Sequence, residues 1–164
     1  MGFLKSIFGE TTEEKTERWK TELQELLEEK LKEVGIKNEE YAFGKVDSTL
    51  ELCVGGTIYL QIGFFFTDED SEETSHDLVK ITGPLVYLPD KNILPFYRKL
   101  LDLNGELYGT LCTQDEIVCL SRVMAIESLT KIEVGVAVVG ILAEVEELTP
   151  LLIEEFQVQR FVPY

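Results

Sequence analysis

The chain is predicted to be an α+β domain, an antiparallel sheet with helices packed on it, in the order α-β-β-β-β-α-β-β-α. Three observations carry this. Residues 12–34 and 90–104 place apolar side chains at helical spacing. Two short-turn signals, Gly55-Gly56 and Gln114-Asp115, each sit between runs of strand character. A long apolar stretch before Glu154-Glu155-Phe156 closes the chain as a final helix. One domain is expected over residues 11–156, with a short apolar segment at 1–10 and a tail at 157–164.

Each element has a local reason. Residues 1–9 put Phe3, Leu4, Ile7 and Phe8 on one side of a short helix, open to docking on the domain, a partner or a membrane surface. Gly2 and Ser6 also match the myristoylation pattern. The first long helix starts at a capping box, Thr11 with Glu14, in which each side chain satisfies a free amide of the other residue. Trp19, Leu23, Leu26, Leu27, Leu31 and Val34 form its apolar face, and Gly35 stops it. The opposite face, rich in Glu and Lys, is expected to be solvated.

Strand character begins after residue 41. Phe43–Val46 is a short first strand that turns at Asp47-Ser48. Leu50–Val54 and Thr57–Phe66 flank Gly55-Gly56, which reads as a two-residue hairpin. In that register Cys53 faces Ile58 and Leu52 faces Tyr59. Gly63 marks a bulge or close packing. Residues 67–77, TDEDSEETSHD, are an acidic loop, and Leu78–Leu88 is the fourth strand. Thr82 and Gly83-Pro84 interrupt that strand, which points to an edge position or a bulge.

Asp90 is the candidate N-cap of the second helix, with Pro95 near its first turn. Leu94, Tyr97, Leu101 and Asn104 follow one row, broadened by Phe96, Leu100 and Leu103. Asn104-Gly105 ends it. Leu107–Thr113 and Glu116–Ile126 form the second hairpin, with Cys112 facing Ile117 and Leu111 facing Val118. Ser128 or Thr130 caps the last helix, 130–149, and Pro150 lies where that helix would kink. Its centre, Val134–Ala143, is apolar all round, so it needs cover on more than one side. A dimer interface or a sandwich between sheet and tail would supply it. Gly135, Ala137, Gly140 and Ala143 allow close backbone approach. The rival reading of Val134–Val139 is a β-branched strand.

A length of 164 residues with 45% apolar and 28% charged residues is globular composition. Fifteen basic residues against 31 acidic ones give a net charge of −16. That field repels phosphate backbones and excludes nucleic acid as an expected partner, while it attracts basic partners. Three scattered cysteines, Cys53, Cys112 and Cys119, are no disulfide framework and read as small core residues in a reducing compartment. No apolar run reaches the ~18 residues of a membrane span, and Met1–Gly9 is too short for a secretory signal. The expected compartment is the cytoplasm.

Chemistry-bearing patterns are sparse. Asp68, Asp70 and Glu72 alternate like calcium ligands, but Glu73 and Val79 stand where an EF-hand needs a glycine and an acid. His76, the single histidine, sits in the same acidic loop beside Ser75, and neighbouring carboxylates favour its charged form over a catalytic base. Neither phosphate-binding glycine motif nor zinc spacing occurs. Glu25/Glu28 and Glu144/Glu147 are best read as solvated helix surface. No catalytic, cofactor or metal residue is therefore assigned.

Residues 79–156 resemble the YbjN-like family, whose fold is shared with type III secretion chaperones. Leu88-Pro89 before the second helix, Tyr97-Arg98-Lys99-Leu100-Leu101-Asp102-Leu103-Asn104 within it, and Gly109 at the hairpin carry the resemblance, with Ser128-Leu129-Thr130 and Glu155-Phe156 around the last helix. The resemblance implies a bacterial, cytoplasmic, non-enzymatic protein, often dimeric. The chaperone relatives hold client segments in extended form, and the YbjN-like branch is described as sensory transduction regulators. The apolar N-terminus and the unusually apolar last helix depart from the pattern.

The function expected is thus a non-enzymatic protein-binding module that holds a client or partner segment, as a homodimer with no cofactor. The alternative is a small-molecule-binding sensory or regulatory protein. Val134, Val138, Ile141 and Leu142 are the residues expected to serve self-association or groove lining.

Overall fold

In the computed structural model, which describes residues 10–66, 77–126 and 129–162, the first helix, α1, runs Thr12–Glu33. The Thr11 hydroxyl accepts from the Glu14 amide at 3.2 Å, and Glu14 accepts from the Thr11 amide at 3.3 Å, so the expected capping box forms. Trp19, Leu23, Leu27 and Leu31 are buried along one face, and Leu26 is half-buried. Val34 is 62% exposed; it is the cap residue, where the chain leaves the helix before Gly35 at φ +88°. Lys20, expected among the solvated residues, is buried. Its ammonium donates to the Asp47 carbonyl and pairs with Glu17, which offsets its loss of water.

A 3-10 turn, Asn38–Glu40, leads into β1 (Tyr41–Val46), β2 (Thr49–Val54) and β3 (Ile58–Phe65). The turn at Asp47-Ser48 is as expected, since Val46 pairs with Thr49. The next hairpin is not. Cys53 pairs with Tyr59 and Leu52 with Leu60, because Thr57 joins the two glycines in a three-residue loop. The Thr57 amide donates to the Val54 carbonyl at 3.2 Å, and Gly55 and Gly56 take φ of +60° and +65°. A one-residue slip moves every side chain to the other face. The observed register puts Leu50, Leu52 and Val54 on the same face as Ile58, Leu60 and Ile62, all buried.

Strand β4 (Leu78–Tyr87) pairs with β3 on one side and with β6 (Ile117–Ala125) on the other. With β5 (Thr110–Gln114) the sheet order is β1-β2-β3-β4-β6-β5, antiparallel throughout. The edge position expected for β4 is overturned, and the bulge is present between Pro84 and Val86. A central strand tolerates Pro84 because the β3 ladder ends at Thr82, so no amide is needed there. Gly63 is paired regularly with Thr49 and Lys80. It lies close under the Phe65 ring, which an added Cβ would meet at 3.1 Å.

In the second hairpin the turn is Asp115-Glu116, with Asp115 at φ +53°. Cys112 faces Cys119 and Leu111 faces Leu120, displaced by two residues from the expected partners. A shift of two keeps every side chain on its face.

Helix α2 (Ile93–Leu103) begins at Asn92, in the left-handed region and with no side-chain cap. Asp90 lies two residues earlier and does not cap it. Pro95 occupies the first turn, where its missing amide costs nothing. Helix α3 runs Lys131–Phe156, well past the expected end, and continues through Pro150. Thr130 caps it with Glu133; Ser128 lies outside the described residues. The strand reading of Val134–Val139 is overturned. One side of α3 packs on β4, β3 and β6 and another on α1, which covers most of its apolar centre and leaves Val136 exposed. Gly135 backs onto Leu26, and Gly140 sits beneath the Tyr108 ring.

The α1–α3 layer and the sheet enclose one core. Phe3, Leu4, Ile7 and Phe8, the Gly2/Ser6 pattern, and the loop with Asp68, Asp70, Glu72, Ser75 and His76 lie outside the described residues.

An added Cβ on Gly83 would clash with Val145 Cγ2 and meet Leu60 Cδ2 at 2.8 Å. Gly83→Ala is expected to destabilise the chain by about 1–3 kcal/mol through overpacking. The measurement is urea unfolding, where the midpoint should fall at constant slope; an unchanged midpoint would contradict the close seating of α3 on β4.

Candidate functional site

Among the described residues no group of three or more His, Cys, Asp and Glu side chains is placed to hold a metal ion, and every buried side-chain polar atom has a hydrogen-bond partner. The titratable groups with displaced pKa values are explained by local structure. Burial pushes the Cys119 thiol up to about 12, with the neighbouring Cys112 adding to it, and burial also raises Cys112. Protonated thiols are poor nucleophiles. Tyr59 is pushed up to about 12 by burial and by its hydrogen bond to Glu51. Hydrogen bonds from Thr130 lower Glu133, which is the capping box described above.

Glu144 is not the idle surface acid that its spacing from Glu147 indicated. Its carboxylate accepts from the Tyr108 amide and, at 3.1 Å, from the Gly109 amide, fixing the entry to β5 onto α3. Arg122 donates to the Tyr108 carbonyl at 3.0 Å and lies 3.5 Å from the centre of its ring. Asn104 acts as a strand substitute on the outer edge of β5, accepting from the Leu111 amide at 2.6 Å and donating to its carbonyl at 3.3 Å.

Val134, Val138 and Ile141 are fully buried, and Leu142 nearly so. All four belong to the core that α3 shares with the sheet and α1, so the structure places these expected interface residues inside the chain.

Ile132 and Val136 stay exposed on the outer side of α3, and a longer exposed apolar row lies on α2. Phe96 and Leu100 of α2 are buried, with Phe96 edge-on to Phe156 at 5.0 Å. That seating keeps the Phe96 and Leu100 edge of the apolar face inward and turns the Leu94, Tyr97, Leu101 row outward: Leu94 is 74% exposed, Leu101 70% and Tyr97 36%, with Ile93 beside them at 47%. Lys91 and Arg98 are exposed beside it. Within Ile93–Leu103 the polar residues Arg98, Lys99 and Asp102 share one side and the apolar residues fill the opposite half, so periodicity marks the apolar half but not which edge of it is buried.

The tail is also fixed. Its Phe161 lies near Tyr59 and Tyr87, with ring centres 6.2 Å and 6.1 Å away, and Val158 is buried. Nothing in the sequence signals this, because the contacts join residues far apart in the chain.

An open cleft of about 610 Å³ lies between α1 and the start of α3, lined by Lys15, Arg18, Trp19, Ile126, Leu129 and Lys131, among others. Its cations are already engaged: Lys15 with Asp77, Arg18 with Glu10 and Lys131 with Glu22.

No family model matches the chain, and no curated protein matches it. Among solved structures, the chain is similar to the crystal structure of YbjN from E. coli, proposed to be a transcription regulator. The match has 13% sequence identity and a TM-score of 0.49, covering 84% of this chain and 94% of that one. At that identity and overlap no residue role carries over.

Cys119 should alkylate far more slowly in the native chain than in the urea-unfolded chain at about pH 8, where an ordinary thiol is partly ionised. Equal rates would contradict its burial. The raised values of Cys119 and Tyr59 mean that the unfolded chain releases these protons first, from ~8.5 for a thiol and ~10 for a phenol. Their contribution to stability is complete below those values and is lost as pH rises toward about 12. Melting temperatures taken stepwise above pH ~8 should therefore decline.

Proposed function

We propose that the chain is a non-enzymatic, cytoplasmic protein-binding module that works as a homodimer. The single observation that carries this reading is the outward apolar row of α2. Contiguous exposed apolar surface on a soluble domain marks a contact site more often than it occurs by chance. Burying one leucine side chain contributes roughly 1.5–3 kcal/mol, so the row holds enough apolar surface to matter.

Its spacing suits a second helix. Leu94 and Leu101 stand two helical turns apart with Tyr97 between them, the a-d-a spacing of a helix–helix seam. An antiparallel copy of α2 would set Leu94 against Leu101 and bring Lys91 toward Asp102 and Glu106 of the other copy. The row thus replaces Val134, Val138, Ile141 and Leu142 as the proposed self-association surface. Client binding in this reading uses the outer edge of β1, where an extended segment could add a strand. The net charge of −16 favours a basic client.

A second reading, a small-molecule sensor, is favoured by the cleft beside Trp19. Its size falls within the ~300–1,000 Å³ usual for ligand sites. A ligand there would raise the melting temperature, and a flat response across a metabolite panel would count against it.

The α2 reading is tested by Leu101→Glu. Light scattering at low micromolar concentration should show a dimer for the unsubstituted chain and a monomer for the variant. Because Leu101 is exposed, its substitution should change monomer stability by no more than about 0.5 kcal/mol. A monomeric unsubstituted chain would overturn the proposal.

A further inference from the structure

Strand β4 has two successive partners along one edge. β3 holds it as far as Thr82. Beyond the bulge the tail takes over: the Tyr87 amide donates to the Gln159 carbonyl at 2.9 Å, and the Phe161 amide donates to the Leu85 carbonyl at 3.1 Å. Val86 and Arg160 form an isolated antiparallel bridge between them. Residues Gln157–Val162 therefore lie in a gap of the sheet that β3 leaves open.

Two side chains anchor the segment. Val158 is buried, and Phe161 sits between Tyr59 and Tyr87. Three residues apart in an extended chain, they point to opposite faces of the sheet, so one anchors from each side. The hydrogen bonds to β4 are all backbone bonds, which any extended segment of suitable length can make. The segment also carries Arg160 and no acid, in a chain of net charge −16. The resident segment thus displays the chemistry the gap accepts.

The geometry points to a peptide-binding slot on β4, in which Gln157–Val162 is a resident competitor for an extended, basic segment of a partner protein. The partner segment presents an apolar residue followed three positions later by an aromatic one. Free partner and tail exclude each other, so the slot is filled in either state and β4 is never left with an open edge. This goes beyond the self-association proposed for α2 and stands or falls apart from it.

The test uses the full chain and a fluorescently labelled peptide of residues Gln157–Val162. Full-length Phe161→Ala, whose own tail competes less well, should bind the peptide at least tenfold more tightly than the unsubstituted chain. A peptide carrying the same substitution should lose that affinity. Equal affinity of the two chains, or of the two peptides, would overturn the slot. Should the variant fold poorly, amide exchange in the unsubstituted chain decides instead. Saturating peptide should expose the Phe161 amide of the chain while the Tyr87 amide stays protected; a Phe161 amide that remains protected refutes displacement.

Discussion

The close seating of α3 on β4 at Gly83 is the constraint on which the rest of the structure depends. Only a residue without a side chain leaves room there for Val145 and Leu60. The contact fixes the depth of α3 against the sheet, and so the plane in which α1 meets α3. Gly135 then takes the Leu26 side chain of α1, and the buried row Trp19, Leu23, Leu27 and Leu31 closes the layer. Once α3 is shared between sheet and α1, Val134, Val138, Ile141 and Leu142 are covered within the chain, while Ile132 and Val136 stay exposed on its outer side. The inward sides of α3 make it the central beam of the core.

What the sequence made legible was local. Thr11 with Glu14 forms the expected capping box, and Thr130, one of two candidate caps, starts the last helix. Element order and the antiparallel class followed from such signals. Registers were less legible, because turn length decides them: Thr57 adds one residue to the first hairpin loop and exchanges its faces, whereas the two-residue shift at Asp115-Glu116 does not. The facing of α2 was legible only in part. Its apolar half was visible, with Phe96 and Leu100 in it, but the choice of Phe96 over Leu94 as the inward edge is made by Phe156, some sixty residues later. The candidate surfaces inherit that difficulty, since an outward apolar row and a tail laid on β4 both arise from contacts distant in the chain.

Net charge and local surface tell different stories here. The chain as a whole is strongly acidic, whereas the exposed surface around α2 is mixed, with Lys91 and Arg98 beside Asp102 and Glu106. At physiological salt, charges act over roughly 8 Å, so a partner docking on α2 meets this mixed set before it meets the average of the molecule. The overall charge governs encounter, and the local set governs fit.

Trp19, the single tryptophan, stands where three elements meet. It belongs to α1, its ring lies 6.1 Å from Phe64 of β3, and the Lys131 ammonium of α3 sits 5.3 Å from its centre. Its emission is therefore a built-in optical gauge of the helix–sheet joint, with a fixed cation tuning the indole. The same position makes it a poor witness to α2 and the tail, whose rings lie elsewhere. Tryptophan emission will follow the loss of the core while remaining dark to events on α2 and the tail, where Tyr97, Tyr59 and Tyr87 are the native fluorophores.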